Sequence, residues 1–285
     1  MKPPALLGIY REQIFSPGRI GDDTAIMDAA VEELSRRGWE VCTRHAESLG
    51  SSLSRPANVL SMAQSDRVLN VLEDWSRQGT RVVNTVPSVL NCYRKRLIHL
   101  LSKAGVSIPP SRVVAVEGAE EEISLRSVDG LWLKRGDVHA IEPGDVAYVT
   151  CKGELDRALE HFLGKGVRDI LVQGHVSGPV VKFYGVGQGE YFRAYLAAEG
   201  EEFTAKAGRL RAIAIQAARA VGLEIYGGDA VLTERDGPVL IDLNDWPSFS
   251  RCRSSAGSSI AAYFHAEIQT PIKRKETGYA LSGRT

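Results

Sequence analysis

The chain has 285 residues, and its 35 Lys and Arg balance its 35 Asp and Glu, which leaves a formal net charge of zero. A balanced charge argues against a protein that coats nucleic acid or an anionic membrane. No apolar run approaches the ~18–20 residues of a membrane-spanning helix, and the run after Met1 is too short for a signal peptide. The four cysteines form no Cys-x-x-Cys pair. We therefore expect a cytoplasmic protein with reduced thiols and with neither nucleic acid nor membrane as a partner.

The first third of the chain alternates between short apolar runs and helical patterns. Asp22-Asp23-Thr24 is predicted to cap the first helix and Ser65-Asp66 the next, because short polar side chains accept hydrogen bonds from free backbone N–H groups. Strands separated by single helices imply a parallel, Rossmann-like sheet. No Gly-x-Gly-x-x-Gly turn supports a dinucleotide site there. The predicted strands are residues 5–10, 39–43, 58–62 and 81–85.

The remaining two thirds mix helices and strands without an internal repeat. Helices are predicted at 89–103, 154–163, 202–221 and 255–268. Strands are predicted at 111–116, 130–134, 169–173, 180–186, 191–196, 228–233 and 239–243. The turn Arg235-Asp236-Gly237 suits a hairpin that joins the last two strands.

Two carboxylates and an amide in that hairpin are the sharpest chemical signal. Asp229 begins one strand and Asp242 ends its partner, so antiparallel pairing brings them close together. Asn244 lies two residues after Asp242 and therefore shares its sheet face. Hard oxygen ligands of this kind suit Mg²⁺. The alternative is that these residues are solvent-facing strand ends.

The order of motifs over residues 88–268 resembles the ATP-grasp superfamily. In that superfamily an Asp and an acidic-x-Asn on two antiparallel strands bind Mg²⁺, a role that the resemblance gives here to Asp229, Asp242 and Asn244. It implies an ATP-grasp architecture of the α/β (α+β) class, with ATP and Mg²⁺, or Mn²⁺ as an alternative ion. The continuation Asp245-Trp246-Pro247-Ser248-Phe249 looks more like the inositol polyphosphate kinases of the same superfamily.

The same resemblance assigns residues that bind the nucleotide. Arg94 takes the position of a Lys that contacts ATP in glutamate ligases, and Lys134 that of a Lys on the α- and β-phosphates. Gln173, His175 and Val176 match the strand and linker beside adenine. The loop from Arg135 to Asp145 has only two glycines, unlike the usual glycine-rich flap, and Arg135 and His139 could supply side-chain donors in its place. The alternative for His139 is an exposed charged loop.

Four further basic residues are predicted to act on the transferred phosphoryl group or the acceptor. Lys182 and Arg193 match basic strand positions near the γ-phosphate, although both could also be outward residues of a half-exposed sheet. Arg251 and Arg253 follow the metal strand, where relatives place the acceptor, and would bind a small anionic acceptor that carries a carboxylate or a phosphate.

The resemblance divides the chain into a Rossmann-like domain at 1–88, a central subdomain at 89–168, a C-terminal subdomain at 169–270 and a flexible tail at 271–285. Three functions stay open. A carboxylate–amine ligase that forms a peptide bond through an acyl-phosphate is the commonest chemistry of the superfamily. A small-molecule kinase would phosphorylate a hydroxyl, and a nucleotide-binding protein would lack turnover. Relatives are often dimers or tetramers, which leaves room for a homo-oligomer.

Overall fold

The computed structural model describes residues 5–50, 54–125, 130–137, 142–204, 207–235 and 237–269. Over these residues the chain forms three four-stranded sheets with helices packed on them. The strands are β1 Ala5–Tyr10, β2 Glu40–His45, β3 Asn58–Ser61, β4 Arg81–Val83, β5 Ser111–Ala115, β6 Leu131–Arg135, β7 Val146–Val149, β8 Asp169–Gly174, β9 Val180–Val186, β10 Tyr191–Leu196, β11 Ile225–Thr233 and β12 Gly237–Asp245. The helices are α1 Ile20–Arg36, α2 Asp66–Arg77, α3 Val86–Asn91, α4 Arg94–Lys103, α5 Ala119–Glu122, α6 Lys152–Gly164, α7 Ala207–Val221 and α8 Arg253–Gln269. The predicted tail at 271–285 lies outside the described residues.

The first sheet has the parallel order β2-β1-β3-β4, which confirms the Rossmann-like prediction. Ser65 caps α2 as predicted, since its side chain accepts a hydrogen bond from the Val68 N–H. The predicted cap of α1 was wrong, because α1 begins at Ile20. Asp22 and Asp23 lie instead in its first turn, where a carboxylate interacts favourably with the helix dipole.

The second and third sheets are antiparallel, with the orders β5-β8-β6-β7 and β10-β9-β11-β12. β8 pairs with β5 and β6, so the predicted border at 168/169 would separate β8 from its own sheet. The chain passes from the second sheet to the third between Gly174 and Val180. The strand β7 was not anticipated from the sequence.

Two predicted helices differ from the structure for local reasons. The helix predicted at 89–103 is interrupted, because Tyr93 has extended backbone angles and ends α3 before α4 begins. Thr85 caps α3 by accepting from the Ser88 N–H. The helix predicted from residue 202 begins in the described chain at Ala207, and Glu202 forms an antiparallel bridge with Tyr195. No helix in the described ranges combines the length and the apolar character that crossing a bilayer would require.

The hydrophobic core ties the first and last parts of the chain together. One buried cluster joins α1 to α8 and to β9 and β10, and a second packs α7 against the third sheet through residues such as Leu240 and Leu243. The helices α1 and α8 are packed tightly at Gly257, where a Cβ would lie 2.6 Å from the Cβ of Ala29. Helix α7 therefore packs on one face of β12, the strand that carries two of the candidate metal ligands. The site lies on the other face of this strand.

We predict that Gly257→Ala destabilises the protein even though alanine normally favours a helix over glycine. The added methyl group would overpack the α1–α8 contact, which typically costs about 1–3 kcal/mol. Gly208→Ala is the matched control, since no heavy atom lies within 4 Å of the point that its Cβ would occupy. Thermal denaturation should show a lower Tm for the Gly257 variant alone; an equal or raised Tm would contradict the close packing.

Candidate functional site

The hairpin of β11 and β12 brings the three predicted metal ligands together at one cavity of about 540 Å³. Asp229 lies directly opposite Asp242, and Asn244 lies opposite Gly227. On the other side of β11, Lys182 of β9 is the register partner of Asp229. All three ligands and Lys182 line the cavity. The antiparallel register thus places the Lys182 ammonium and the two carboxylates in one row across the sheet, with the Asn244 amide two residues further along β12.

Asp229 and Asp242 are stabilised by nearby donors. The Lys182 Nζ donates to the Asp229 Oδ1 at 2.8 Å. Burial raises the pKa of Asp229 above its ordinary value, the Lys182 charge and hydrogen bond oppose that shift, and the Asp242 charge adds to it. The two Asp242 oxygens accept from the Leu243 N–H at 3.1 Å and from the Asn244 Nδ2 at 3.2 Å.

This donor set fits a hard divalent cation. Because the Asn244 Nδ2 donates to Asp242, the amide oxygen of Asn244 is left as a ligand atom. Carboxylate and amide oxygens are the ligands that Mg²⁺ takes in proteins. The Lys182 ammonium on Asp229 supplies positive charge at the place where a metal ion would otherwise balance the carboxylates.

Two buried cations, Lys134 of β6 and Arg94 of α4, also line the cavity. Lys134 is 8% exposed, and its Nζ donates to the Ile241 carbonyl at 3.0 Å. Arg94 is 4% exposed, and its Nη1 donates to the Arg135 carbonyl at 2.9 Å. Burial lowers the pKa of both groups, while the Asp242 charge raises it. These buried positive charges beside the acidic pair give the cavity the means to hold a polyanion together with a cation.

The end of β8 and the residues that follow it form another part of the cavity wall. Gln173, His175 and Val176, the residues predicted to lie beside adenine, all line the cavity. The Gln173 Nε2 donates to the Ser111 Oγ at 3.2 Å, and the Trp132 Nε1 donates to the His175 Nδ1 at 3.2 Å. The second bond fixes the histidine ring beside the indole. An aromatic wall with adjacent backbone polar groups is suited to a flat heterocycle.

Three predicted acceptor or phosphate residues do not line this cavity in the structure. The Arg193 Nε lies 3.2 Å from the Glu202 Oε1. The Arg251 guanidinium stacks on Tyr195 and donates to the carbonyls of Leu196 and Ala197.

The Arg253 Nη2 lies 2.6 Å from the Asp22 Oδ1 at the start of α1. Arg193 lies on its predicted strand and Arg251 in its predicted loop, whereas Arg253 begins α8. Each guanidinium is held by an acceptor within the protein, which the sequence pattern does not reveal. Their contacts with substrate stay a prediction.

The loop from Arg135 to Asp145 is only partly described, and His139 lies outside the described residues. Arg135 donates to Asp137 and to Asp145 at 2.7 Å and 3.2 Å, and these bonds raise its pKa. Gly136 is close to the backbone of the neighbouring β8, where a Cβ would lie 2.7 Å from the Asp169 carbonyl oxygen. At its start the loop is therefore anchored by ion pairs and close packing.

Residues of the N-terminal unit, which comprises the first sheet with α1 and α2, complete the cavity and were not predicted from the sequence. They follow the carboxyl ends of parallel strands, the edge at which α/β sheets usually place their sites, and this signal could have found them. Arg11 follows β1 and Gln64 follows β3, while Asp245, which also lines the cavity, ends β12 of the third sheet. The Gln64 Nε2 donates to the Asp245 Oδ1 at 3.0 Å. Other lining residues from this region are Phe15, Ser16, Pro17, Arg19 and Asp23.

Comparison with known proteins finds relatives in sequence and in fold. No family model matches the chain. It is 26% identical over 227 residues to a probable alpha-L-glutamate ligase of Chromohalobacter salexigens, an alignment that covers 71% of this chain and 73% of that protein.

Solved structures share the fold. The VanG D-Ala:D-Ser ligase of Enterococcus faecalis superposes with a TM-score of 0.73 at 15% identity and covers 93% of this chain and 99% of its own. The RimK domain ATP-grasp protein of Sphaerobacter thermophilus gives 0.68 at 21% identity, with 91% and 98% covered. The ATP-grasp ligase PsnB, solved with a minimal precursor, Mg and ADP, gives 0.63 at 17% identity, with 91% and 98% covered.

We predict that Mg²⁺ with ATP raises the Tm of the protein and that Asp242→Asn removes this increase. A ligand that binds only the folded state at about 100 times its Kd stabilises by about 2.7 kcal/mol. Because protonation of Asp229 competes with the metal, the increase should shrink as the pH falls. Asp74→Asn, at a surface ion pair of α2, is the control and should keep the full increase. An equal Tm increase in the Asp242 variant would refute the metal assignment.

Proposed function

We propose that this chain, which is an ATP-grasp protein, is an ATP- and Mg²⁺-dependent carboxylate–amine ligase. One observation carries the proposal: Asp229, Asp242 and Asn244 meet in one cavity with the buried cations Lys134 and Arg94. Ligase names among the relatives and fold neighbours support the reaction class.

The nucleotide would lie along the cavity, with adenine at the aromatic end and the triphosphate toward the metal trio. Trp132 offers an apolar face to the purine ring, and the linker at His175 and Val176 offers backbone donors and acceptors. Lys134 and Arg94 lie between the two ends and would bind the phosphate oxygens. Their burial strengthens these contacts, since little water competes for the charge.

Phosphoryl transfer needs positioning and charge neutralisation rather than a protein nucleophile. Asp229, Asp242 and Asn244 would hold Mg²⁺, which when bound neutralises charge on the β- and γ-phosphates. Lys182 would leave Asp229 once the metal balances that carboxylate and would then face the γ-phosphate. Its 40% exposed side chain is free enough to make this move.

The proposed reaction has two steps. An oxygen of the acceptor carboxylate forms a bond to the γ-phosphorus while the bond to the β–γ bridging oxygen breaks, which gives an acyl-phosphate and ADP. The nitrogen of the amine attacks the acyl carbon, inorganic phosphate leaves, and the amine loses a proton. Lys182 and Lys134 stabilise the negative charge on the phosphoryl oxygens in the first step.

The acceptor would enter from the wall that the N-terminal unit provides. Arg19 is exposed and lines this wall, and Asp23 beside it is buried. A cation and a carboxylate together favour a small acid that also carries a polar or charged group. Arg251 and Arg253, the cations expected to hold an acceptor carboxylate or phosphate, donate to backbone carbonyls and to Asp22 and do not discriminate between a ligase and an inositol-phosphate kinase.

We predict that ADP and phosphate form only when both an amino acid carrying a free carboxylate and an amine are supplied with ATP and Mg²⁺. Hydroxylamine should replace the amine and give a hydroxamate, which is the signature of an activated acyl group. Asp242→Ala should lose this activity by at least about 100-fold, since a metal ligand is removed. The Asp74→Asn control should keep it. Transfer of labelled phosphate to an acceptor that retains it would instead establish a kinase, and ATP binding without turnover a nucleotide-binding protein.

A further inference from the structure

The backbone just after the metal strand is strained and buried. Trp246 has a φ of +37° and Phe249 a φ of +48°, a left-handed region that side chains other than glycine rarely occupy. Both side chains are fully buried. Such conformations persist only where surrounding contacts hold them. This turn begins two residues after Asn244, so whatever holds it also sets the end of the metal strand.

Arg11 of the N-terminal unit makes contacts that hold this turn. Its Nη2 donates to the Trp246 carbonyl at 2.6 Å and to the Asp245 carbonyl at 3.4 Å. Its Nε donates to the Met62 carbonyl at 3.3 Å, at the end of β3. One planar guanidinium thus joins the edge of the first sheet to the two residues that follow the metal ligand.

The charge and orientation of Arg11 are themselves fixed. Its Nη1 lies 3.5 Å from the Asp23 Oδ2, and the two side chains are 10% and 8% exposed. The Ser16 Oγ donates to the same Asp23 oxygen at 2.7 Å. A lysine could supply the charge at this position but not the planar fork that reaches three carbonyls.

We propose that Arg11 is a positioning residue for the metal site, through which the N-terminal unit holds Asn244 and Asp242 in ligating geometry. This inference rests on the proposed function. Groups that orient metal ligands typically change metal affinity or activity about 10- to 100-fold when they are removed. The guanidinium would act through the backbone at Asp245 and Trp246, without touching the metal or the nucleotide.

Arg67 gives a matched control within the same unit. Its guanidinium also bridges carbonyls, with the Nη1 donating to Leu49 at 2.5 Å and the Nη2 to Ala46 at 2.8 Å. It is not among the residues that line the cavity. Arg67→Ala therefore reports what the loss of a carbonyl clamp does to the N-terminal unit alone.

The test compares Arg11→Ala, Arg11→Lys and Arg67→Ala with the unchanged protein. Without any metal, hydrogen exchange of the backbone amides at 240–249 should become faster in both Arg11 variants and stay unchanged in Arg67→Ala. Calorimetry with Mn²⁺ and ATP should show affinity lowered about 10- to 100-fold in Arg11→Ala. Millimolar guanidinium should restore part of that affinity in Arg11→Ala only, because it replaces the missing donor group.

Unchanged exchange at 240–249 together with Mn²⁺–ATP affinity equal to that of Arg67→Ala would overturn the inference. The Arg11→Lys variant keeps the charge, so it serves if Arg11→Ala does not fold. Failure of the proposed function looks different: the unchanged protein would then bind no Mn²⁺–ATP, or would bind it without forming an amide.

Discussion

The pairing of β11 with β12 is the constraint on which the site depends, because its register places Asp229 directly opposite Asp242. Two carboxylates at such a short distance, at the edge of a buried cavity, repel each other unless cations balance their charge. The chain supplies Lys182 on the adjacent strand and the buried Lys134 across the cavity. The remaining features of the cavity follow from accommodating this charge: a donor set for a divalent ion and a wall suited to a polyphosphate.

The residues at this hairpin could be predicted from the sequence because β-structure is periodic. A turn at 235–237 and a two-residue spacing between Asp242 and Asn244 are enough to place three ligands on one face. The strands β9 and β10 matched their predicted bounds at both ends, since each is a short apolar run between turn residues. The parallel first sheet followed from the alternation of strands and helices.

Long-range partners could not be predicted in the same way. Arg253 pairs with Asp22, 231 positions away, and Arg11 reaches the carbonyl of Trp246, 235 positions away. Neither contact leaves a local pattern, because the partners are far apart in sequence and the Arg11 guanidinium binds a backbone carbonyl, a group that every residue has. The packing of α8 against α1 through Gly257 brings these distant segments together. The N-terminal unit therefore contributes a wall and a clamp to a site that sequence motifs place wholly in the other two sheets.

The most direct test of the central claim, that these charges deliver the γ-phosphoryl group of ATP to a carboxylate, is an oxygen-transfer experiment. The acceptor acid is labelled with ¹⁸O in its carboxylate and incubated with ATP, Mg²⁺ and the amine, and the phosphate released is analysed by mass spectrometry. The account predicts one ¹⁸O atom in the released phosphate, passed from the carboxylate through the acyl-phosphate. Unlabelled phosphate alongside amide formation, or phosphate retained on the acceptor, would contradict it.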